Sequence, residues 1–250
     1  MRVAFVGKGG AGKSSLAGTF ARVLTETGDR VLALDSDPMP GLAFSLGVPH
    51  VDTGLPDDVV EEDAVDGRRF RLAGGRSGTE VVEQHATRTT DGVYFLQLGK
   101  ARGPRWENTR QHFGFQRVLD DLPGAGWSIV GDLPGGTRQP FMTWGRWADT
   151  YLVVVEPTPA SLLSGRRLAR LAETAGAPRV VALANKVLAS SDAARVHERT
   201  GLEVVGEVPL DPAQAQADRQ GVALLDHDPD APTVAALRCL VDALRSERNS

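Results

Sequence analysis

The nonapeptide GKGGAGKSS, at positions 7–15, has the residue types and the spacing of a phosphate-binding loop. Its glycines match the G-x-G-x-x-G pattern of dinucleotide-binding folds, while Gly12 followed by Lys13 and Ser14 completes the P-loop pattern G-x-x-x-x-G-K-[ST]. In both cases glycine lets backbone N–H groups approach phosphate at the N-terminus of a helix. The residues that we assign to nucleotide binding in this loop are Gly7, Gly9, Gly10, Ala11, Gly12, Lys13, Ser14 and Ser15.

Lys13 and Ser14 favour the P-loop over the dinucleotide-binding alternative. In a P-loop the lysine reaches the β- and γ-phosphates and the hydroxyl binds Mg²⁺, whereas a dinucleotide-binding loop gives neither residue a role. A complete P-loop pattern arises by chance in roughly one of a hundred chains of this length at average glycine content. The alternative has support from Asp35, which ends the second predicted strand, where an acid that binds ribose would lie. Binding of NADH more tightly than ATP would favour it.

Three aspartates follow apolar segments that have the composition of buried strands. Asp35 and Asp37 come after VLAL, and Asp132 comes after WSIVG. An acid in such a position can hold Mg²⁺ through water. The predicted metal site therefore comprises Ser14, Asp35, Asp37 and Asp132.

Lysine is scarce in this chain, which has 24 arginines and four lysines. Two of the four, Lys8 and Lys13, lie in the phosphate-binding loop. A compact ammonium and a broad guanidinium are not interchangeable at a tight phosphate site. The distribution therefore predicts a specific role for Lys8 in addition to that of Lys13.

Apolar, β-rich segments alternate with helical patterns along the chain. Most of these segments are continuously apolar, which is typical of strands buried on both faces of a parallel sheet. The predicted strands are Val3–Val6, Val31–Leu34, Val93–Leu98, Trp127–Val130, Tyr151–Val155, Val180–Ala184 and Val204–Val208. The predicted helices are Ser14–Glu26, Pro159–Ala175 and Thr233–Arg245. This alternation predicts an α/β fold, with a doubly wound, mostly parallel sheet and helices on both faces.

Length and composition indicate a globular protein with one domain over residues 1–250 and an irregular excursion at about 49–90. The net charge of −4 gives no sign of a nucleic-acid binder. No apolar segment approaches the ~18 residues of a membrane span, and a strand that begins at residue 2 leaves no room for a signal peptide. We therefore expect a cytoplasmic protein. Its one cysteine, Cys239, is expected to be buried in the last helix.

These motifs resemble one group of ATPases along nearly the whole chain. KGGAGKSS resembles the deviant Walker A motif of the ParA/MinD/NifH/ArsA (SIMIBI) group of P-loop ATPases. DSDP resembles their switch I, DLPGG their switch II, and ALANKV and VVGEVPLDPAQAQADRQG their later strands and C-terminal segment. The DSDPMPGLAFSLG stretch is most similar to the CooC-like branch, which is associated with nickel insertion into carbon monoxide dehydrogenase.

The resemblance implies roles for individual residues. Lys8 would cross a dimer interface and contact the nucleotide of the other subunit, which implies a homodimer with ATP sandwiched at the interface. Asp37 would position the attacking water, so that the implied catalytic residues are Lys8, Lys13 and Asp37. Asn185, followed by Lys186, would read the adenine edge, because an amide both donates and accepts hydrogen bonds. Pro209 and Asp211 would lie in the loop that closes over the base.

The chain departs from the CooC-like pattern at a metal motif. That branch has a Cys-x-Cys pair after a Gly-Pro, whereas here Gly103-Pro104 is followed by Arg105, Trp106 and Glu107, in a segment that we interpret as a loop. Soft metals prefer thiolate or imidazole, and the nearby His112 is expected to be a surface residue. Phe141, Trp144 and Trp147, after switch II, are expected to pack in the core, with a partner-binding patch as the alternative.

The leading hypothesis is a Mg²⁺-ATP-dependent dimeric switch, with ATP/ADP and Mg²⁺ as cofactors. It would be a slow, partner-stimulated ATPase that acts as a CooC-like maturation or partner-loading factor on an unidentified client protein. The alternative is a ParA/MinD-like positioning ATPase that binds DNA or membrane. The acidic pI and a last helix without a lipid-facing stripe disfavour it, and Arg166, Arg167 and Arg170 are expected to form a solvated helix face. An interaction module without turnover is a further alternative, which the presence of Asp37 disfavours.

Overall fold

A computed structural model describes residues 1–36, 41–49, 54–62, 70–98, 105–124, 126–134, 141 and 145–248 of the 250-residue chain, with the side chains of 105–109 and 248 excepted. Several residues discussed above lie outside this part of the chain. They are Asp37, Gly103, Pro104 and Trp144, together with the side chains of Arg105, Trp106 and Glu107.

The centre of the fold is an eight-stranded sheet. Its strands are β1 (Arg2–Gly7), β2 (Arg30–Asp35), β5 (Thr87–Arg88), β6 (Tyr94–Gln97), β7 (Trp127–Asp132), β8 (Thr150–Val155), β9 (Val180–Val187) and β10 (Val204–Pro209), with β3 (Val60–Glu62) and β4 (Phe70–Leu72) forming a separate antiparallel pair. The order in the sheet is β10-β9-β8-β1-β7-β2-β6-β5. All pairs are parallel except β5 with β6 at the edge. The carboxyl ends of the central strands therefore meet at one edge of the sheet.

Helices connect the strands and cover both faces of the sheet. They are α1 (Lys13–Thr25), α2 (Leu42–Ser45), α3 (Gly78–His85), α4 (Arg105–Asp121), α5 (Pro159–Ala175), α6 (Ser191–Thr200), α7 (Pro212–Gln220), α8 (Leu224–His227) and α9 (Pro232–Arg248). One apolar cluster joins one face to α1, α2 and α9. On the other face, one cluster contains α3 and α4 and a second contains α5 and α6. Trp147 packs against both of these clusters.

Local sequence signals explain where the long helices begin and end. In α5, Pro159 occupies the first turn, where its missing N–H needs no partner, and Gly176 ends the helix with φ 66°. In α7, the Asp211 side chain accepts a hydrogen bond from the Ala213 N–H and caps the helix, which ends at Gly221 with φ 69°. The first residues of α5 and α7 therefore lie a few residues after the ends of β8 and β10.

The predicted fold class is confirmed, and each predicted strand coincides with an observed one. The observed α5 has the predicted bounds, and α1 and α9 differ from the prediction by one to three residues at each end. The segment at 49–90 contributes the β3–β4 pair, α3 and the antiparallel edge strand β5 among its described residues. In the described part of the chain, no helix combines the length and the apolar character needed to cross a membrane.

Two expectations are wrong. Trp106 lies in the first turn of α4, not in a loop, because this segment continues into a 17-residue helix that polar residues dominate and that apolar periodicity did not reveal. Cys239 is exposed, because α9 turns Leu237, Leu240 and Val241 toward the core and leaves the cysteine on another side of the helix.

Candidate functional site

The loop between β1 and α1 has the backbone that a phosphate-binding loop requires. Gly10 and Gly12 have φ values of 80° and 92°, which residues other than glycine rarely adopt. A Cβ on Gly12 would lie 2.6 Å from Nδ2 of Asn185, so that glycine is also needed for close packing. Lys13 follows at the start of α1, and its side chain is buried. The loop therefore ends at a helix N-terminus that presents free N–H groups.

Asn185 fastens this loop to the carboxyl end of β9. Its Nδ2 donates to the Ala11 carbonyl oxygen at 2.8 Å, and its Oδ1 accepts from the Lys186 N–H at 2.9 Å. The residue is only 5% exposed. Asn185 thus holds the loop in place, and its expected reading of the adenine edge stays a prediction.

Lys186 connects the loop to β8. It has φ 57°, the single positive value outside glycine among the described residues, and such backbone strain is typical of functional sites. Its Nζ lies 2.5 Å from Oε1 of Glu156 and 3.4 Å from the Gly10 carbonyl oxygen. Sequence analysis missed Glu156, although it directly follows an apolar strand, just as Asp35 and Asp132 end theirs. The ends of β8 and β9 are thereby tied to the phosphate-binding loop.

Three of the four predicted metal-site residues, Ser14, Asp35 and Asp132, lie where β2 and β7 end, and the fourth, Asp37, lies outside the described residues. The Ser14 hydroxyl donates a hydrogen bond to Oδ2 of Asp132. The Asp35 carboxylate is fully buried, and its Oδ2 accepts from the N–H groups of Gly41 and Leu42, both at 3.0 Å. Ser36 donates from both its N–H and its hydroxyl to the Asp132 carbonyl oxygen, each at 3.1 Å. A hydroxyl and two carboxylates therefore meet beside the loop, with oxygen donors of the kind that Mg²⁺ prefers.

A cavity of about 540 Å³ opens beside the loop. Such a volume lies within the range of small-molecule and cofactor sites. It is lined by Gly10, Gly12, Lys13, Ser14, Ser15, Leu16, Asn185, Lys186, Pro209, Leu210, Asp211, Gln214, Ala215, Asp218 and Thr233. Most residues predicted to bind nucleotide therefore surround one space, in which the end of β9, the end of β10 and the segment after β10 face the loop.

Asp211 shapes the wall of this cavity. Its Oδ1 accepts from the Ala213 N–H at 2.9 Å and its Oδ2 accepts from the Thr233 N–H at 3.0 Å. The carboxylate therefore caps α7 and links it to the start of α9. Two wall residues that sequence analysis missed, Gln214 and Asp218, are hydrogen-bonded at 2.9 Å one turn apart on α7.

Lys8 and Gly9 lie on the exposed side of the loop, away from the Asn185 contact. Among the described residues, the Lys8 ammonium has no hydrogen-bond or ion-pair partner, whereas Lys13 is buried and Lys186 is paired. A Cβ on Gly9 would meet nothing within 4 Å. The described residues thus leave the Lys8 side chain exposed and unpaired.

His112, in α4, is half-buried, and the expectation of a surface histidine is wrong. Burial lowers the pKa of its imidazole. Its Nε2 lies 2.9 Å from Nε2 of Gln116, and both side chains line a void of about 20 Å³ that also contacts Ser36 and Leu133, next to Asp35 and Asp132. In the described parts of the chain, no group of three or more His, Cys, Asp or Glu side chains is placed to hold a metal ion.

The aromatic residues after switch II that the structure describes pack inside the protein. Phe141 is buried and its ring lies 5.1 Å from that of Tyr151, centroid to centroid. Trp147 is partly buried between two apolar clusters. For these two residues, core packing is therefore the observed arrangement.

Comparison with known proteins gives matches along most of the chain. Residues 3–225 match the model of the CobQ/CobB/MinD/ParA nucleotide binding domain. The carbon monoxide dehydrogenase accessory protein CooC of Rhodospirillum rubrum is 27% identical over 246 residues, which cover 92% of this chain and 91% of that protein. An uncharacterized ATP-binding protein of Methanocaldococcus jannaschii is 27% identical over 84% of this chain and 86% of its own length. The structure of the septum site-determining protein MinD from Pyrococcus horikoshii, complexed with Mg-ADP, superposes with a TM-score of 0.73 at 20% identity, over 99% and 97% of the two chains.

Proposed function

Because the chain belongs to the CobQ/CobB/MinD/ParA family of nucleotide-binding domains, we propose that it is a Mg²⁺-ATP-dependent switch. It binds ATP beside the loop at 7–15, forms a homodimer around the nucleotide, and hydrolyses ATP slowly until a partner stimulates it. ATP and ADP with Mg²⁺ are its cofactors.

The observation that carries this proposal is the cavity of about 540 Å³ between the phosphate-binding loop, the end of β9 and the segment that follows β10. The loop N–H groups and Lys13 are suited to hold phosphates. Ser14, with Asp132 beside it and Asp35 on the next strand, is suited to hold hydrated Mg²⁺, which keeps most of its water ligands in proteins. When bound, the ion would neutralise charge on the phosphates.

The surroundings of Lys8 support the dimer. A cation that has no partner among the described residues of its own chain, in the phosphate-binding loop, is suited to contact a nucleotide held by a second copy. Leu188 and Leu210, 77% and 52% exposed, follow the ends of β9 and β10 beside the cavity. Association of two copies over this surface would remove these apolar side chains from water.

We propose that this protein acts on its client protein as a maturation or partner-loading factor of the CooC-like kind. The support is the 27% identity with CooC over nearly the whole of both chains. The alternative is a positioning ATPase that binds DNA or membrane, for which the exposed arginines of α5 are the one favourable observation. ATP-dependent co-sedimentation with DNA or with liposomes would favour that alternative.

The dimer is tested by the mass in solution, measured by light scattering with and without Mg²⁺-ATP, in Asp37→Ala to prevent hydrolysis. We expect the mass to double only when ATP is present. Adding Lys8→Ala should abolish the doubling while ATP still binds. Adding Arg167→Ala, which removes an exposed cation of α5, should leave the doubling unchanged.

Two results would contradict the proposal. A mass in solution that is the same with and without Mg²⁺-ATP would show that Lys8 does not act across an interface. NADH binding that is tighter than ATP binding, measured by fluorescence titration, would favour the dinucleotide-binding alternative. Phosphate release by the unsubstituted protein, compared with Asp37→Ala, tests whether ATP is hydrolysed at all.

A further inference from the structure

Gln97, the last residue of β6, has a buried side-chain amide that no other described residue contacts by a hydrogen bond. Its side chain is 3% exposed, and within the described residues neither Oε1 nor Nε2 has a partner. The great majority of buried polar groups in proteins are hydrogen-bonded, and one that is not destabilises the fold by about 1–3 kcal/mol. An amide in this position therefore calls for a partner that the described residues do not supply.

Gln97 lies next to Asp35 on the same face of the sheet. The parallel pair β2–β6 places Asp35 and Gln97 in register, and the Leu98 N–H donates to the Asp35 carbonyl oxygen at 2.8 Å. Val93 and Phe95 belong to the cluster around α1, as do Val31 and Ala33. Because side chains alternate along a strand, Gln97 and Asp35 both point to the α1 face, on which Ser14 also lies.

The chemistry of an amide suits a position beside Asp35. An arginine or lysine in the place of Gln97 would pair with the carboxylate and compete with a metal ion for it. An amide can donate a hydrogen bond without neutralising the negative charge. Residues that hold a metal-site carboxylate in this way fix its orientation, and their loss typically weakens metal binding by about 10–100-fold.

We propose that Gln97 is a positioning residue for the Mg²⁺-nucleotide site. In the loaded state its amide is hydrogen-bonded, through a water molecule, to the Asp35 carboxylate, and it holds that carboxylate toward the hydrated ion. This inference rests on the proposed binding of Mg²⁺-ATP. Gln97 belongs to β6, which pairs with β2 on the side away from β7, and so lies beyond the two strands that carry Asp35 and Asp132.

The test is the Mg²⁺ dependence of nucleotide affinity in the full-length protein. ADP binding is measured by calorimetry in Mg²⁺ and in EDTA. The Kd ratio, defined as the Kd in EDTA divided by the Kd in Mg²⁺, is compared between the unsubstituted protein and Gln97→Met. We expect the ratio to fall about tenfold, with the Kd in EDTA unchanged. The Tm without nucleotide should stay the same or rise, because methionine removes an unpaired buried amide.

Two further variants separate positioning from packing. Thr89→Val removes a buried hydroxyl that is hydrogen-bonded to the Val93 N–H at 2.9 Å, in the turn that precedes β6. It should lower the Tm and leave the Kd ratio unchanged. Combining Gln97→Met with Asp35→Asn should lower the ratio no further than Asp35→Asn alone, because the amide acts through that carboxylate.

Several outcomes would overturn the inference. An unchanged Kd ratio in Gln97→Met, with a lower Tm, would make Gln97 a structural residue, and additive effects with Asp35→Asn would remove the link to that carboxylate. If Gln97→Met does not fold, Gln97→Leu is measured in the same way, and failure of both to fold would also indicate a structural residue. Failure of the unsubstituted protein to bind ADP and ATP would instead refute the proposed function, and this inference with it.

Discussion

Asp211 illustrates how one residue can contribute to a site without facing its ligand. The resemblance places it in the loop over the base, but both of its carboxylate oxygens accept backbone N–H groups, one from Ala213 and one from Thr233. Pro209 and Leu210, directly before it, line the cavity. Asp211 therefore determines where the wall of the cavity lies, and Asn185 does the same for the loop opposite.

Asp211→Ala is expected to lower the free energy of unfolding by about 2 kcal/mol, because the start of α7 and the Thr233 N–H both lose their acceptor. Nucleotide affinity should fall as well, since the wall of the cavity is no longer held. Urea denaturation and calorimetric titration with ADP measure the two effects. Ser77→Ala, which removes the cap of α3 far from the cavity, should lower stability without changing affinity. Unchanged affinity in Asp211→Ala would show that the wall does not depend on this carboxylate.

At the scale of elements, α1 is held in place by a buried ion pair as well as by apolar packing. Arg22 is buried in α1, with its Nε 2.5 Å from Asp91 and its Nη2 2.7 Å from Asp226 in α8. Burial opposes the charge on the guanidinium, but hydrogen bonds to Asp226 and Asp91 outweigh this effect and raise the Arg22 pKa. Because α1 begins at the phosphate-binding loop, these contacts also fix the direction of the N–H groups that face the cavity.

Arg22→Met should therefore lower the free energy of unfolding by about 2 kcal/mol, since it leaves two carboxylates without their cation. We set the value below the usual range for buried pairs because Asp226 is half exposed. Arg238→Met is the matched control. It removes an exposed pair between α9 and Glu26 and should change stability by less than about 0.5 kcal/mol. Equal effects of the two substitutions in urea denaturation would contradict the assignment of Arg22 as a buried anchor.

At the scale of the whole molecule, the cavity depends on segments from opposite ends of the chain. The loop before α1 forms one side, and the end of β9, residues at and after the end of β10, and the start of α9 form the other. β1 lies in the middle of the sheet, with β8 on one side and β7 on the other, and β9 and β10 extend the β8 side. The cavity therefore requires β1 and the strands from β8 to β10 to be paired in the sheet.

The stability of the whole molecule should fall in mild acid. Burial lowers the pKa of both His112 and His85, so that the unfolded chain binds more protons than the folded protein below the ordinary histidine value of about 6.5. Stability therefore decreases as the pH falls from that value toward the lowered pKa of the folded state. Urea denaturation at pH 7.5 and at pH 5.5, without nucleotide, measures the difference.

His112→Gln should reduce this pH dependence more than His85→Gln does, because His112 is the more deeply buried of the two. The double variant should depend least on pH in this window. Equal pH dependence in the unsubstituted protein and in His112→Gln would show that the imidazole of His112 is protonated as easily in the folded as in the unfolded state.

Local patterns were enough to predict the fold class and the loop. Continuous apolar segments mark strands wherever both faces are covered, and the structure has a strand at each of the seven predicted positions. The glycines of the loop reflect a local backbone requirement, as the positive φ values at Gly10 and Gly12 show. Helix α4 was not predicted, because only a few residues of this mostly polar segment face the core and the periodicity of its apolar residues is weak.

Local sequence patterns therefore predicted seven of the eight strands of the sheet, the phosphate-binding loop and the acids at the strand ends, because these depend on the period and backbone preferences of neighbouring residues. Contacts between residues far apart in the sequence could be read only from the tertiary structure. Asn185 contacts the loop, Asp211 joins α7 to α9, and Gln97 is buried beside Asp35, because the order of the strands brings these residues together. Cys239 is exposed for the same kind of reason, since the packing of α9 selects which side of that helix faces the core.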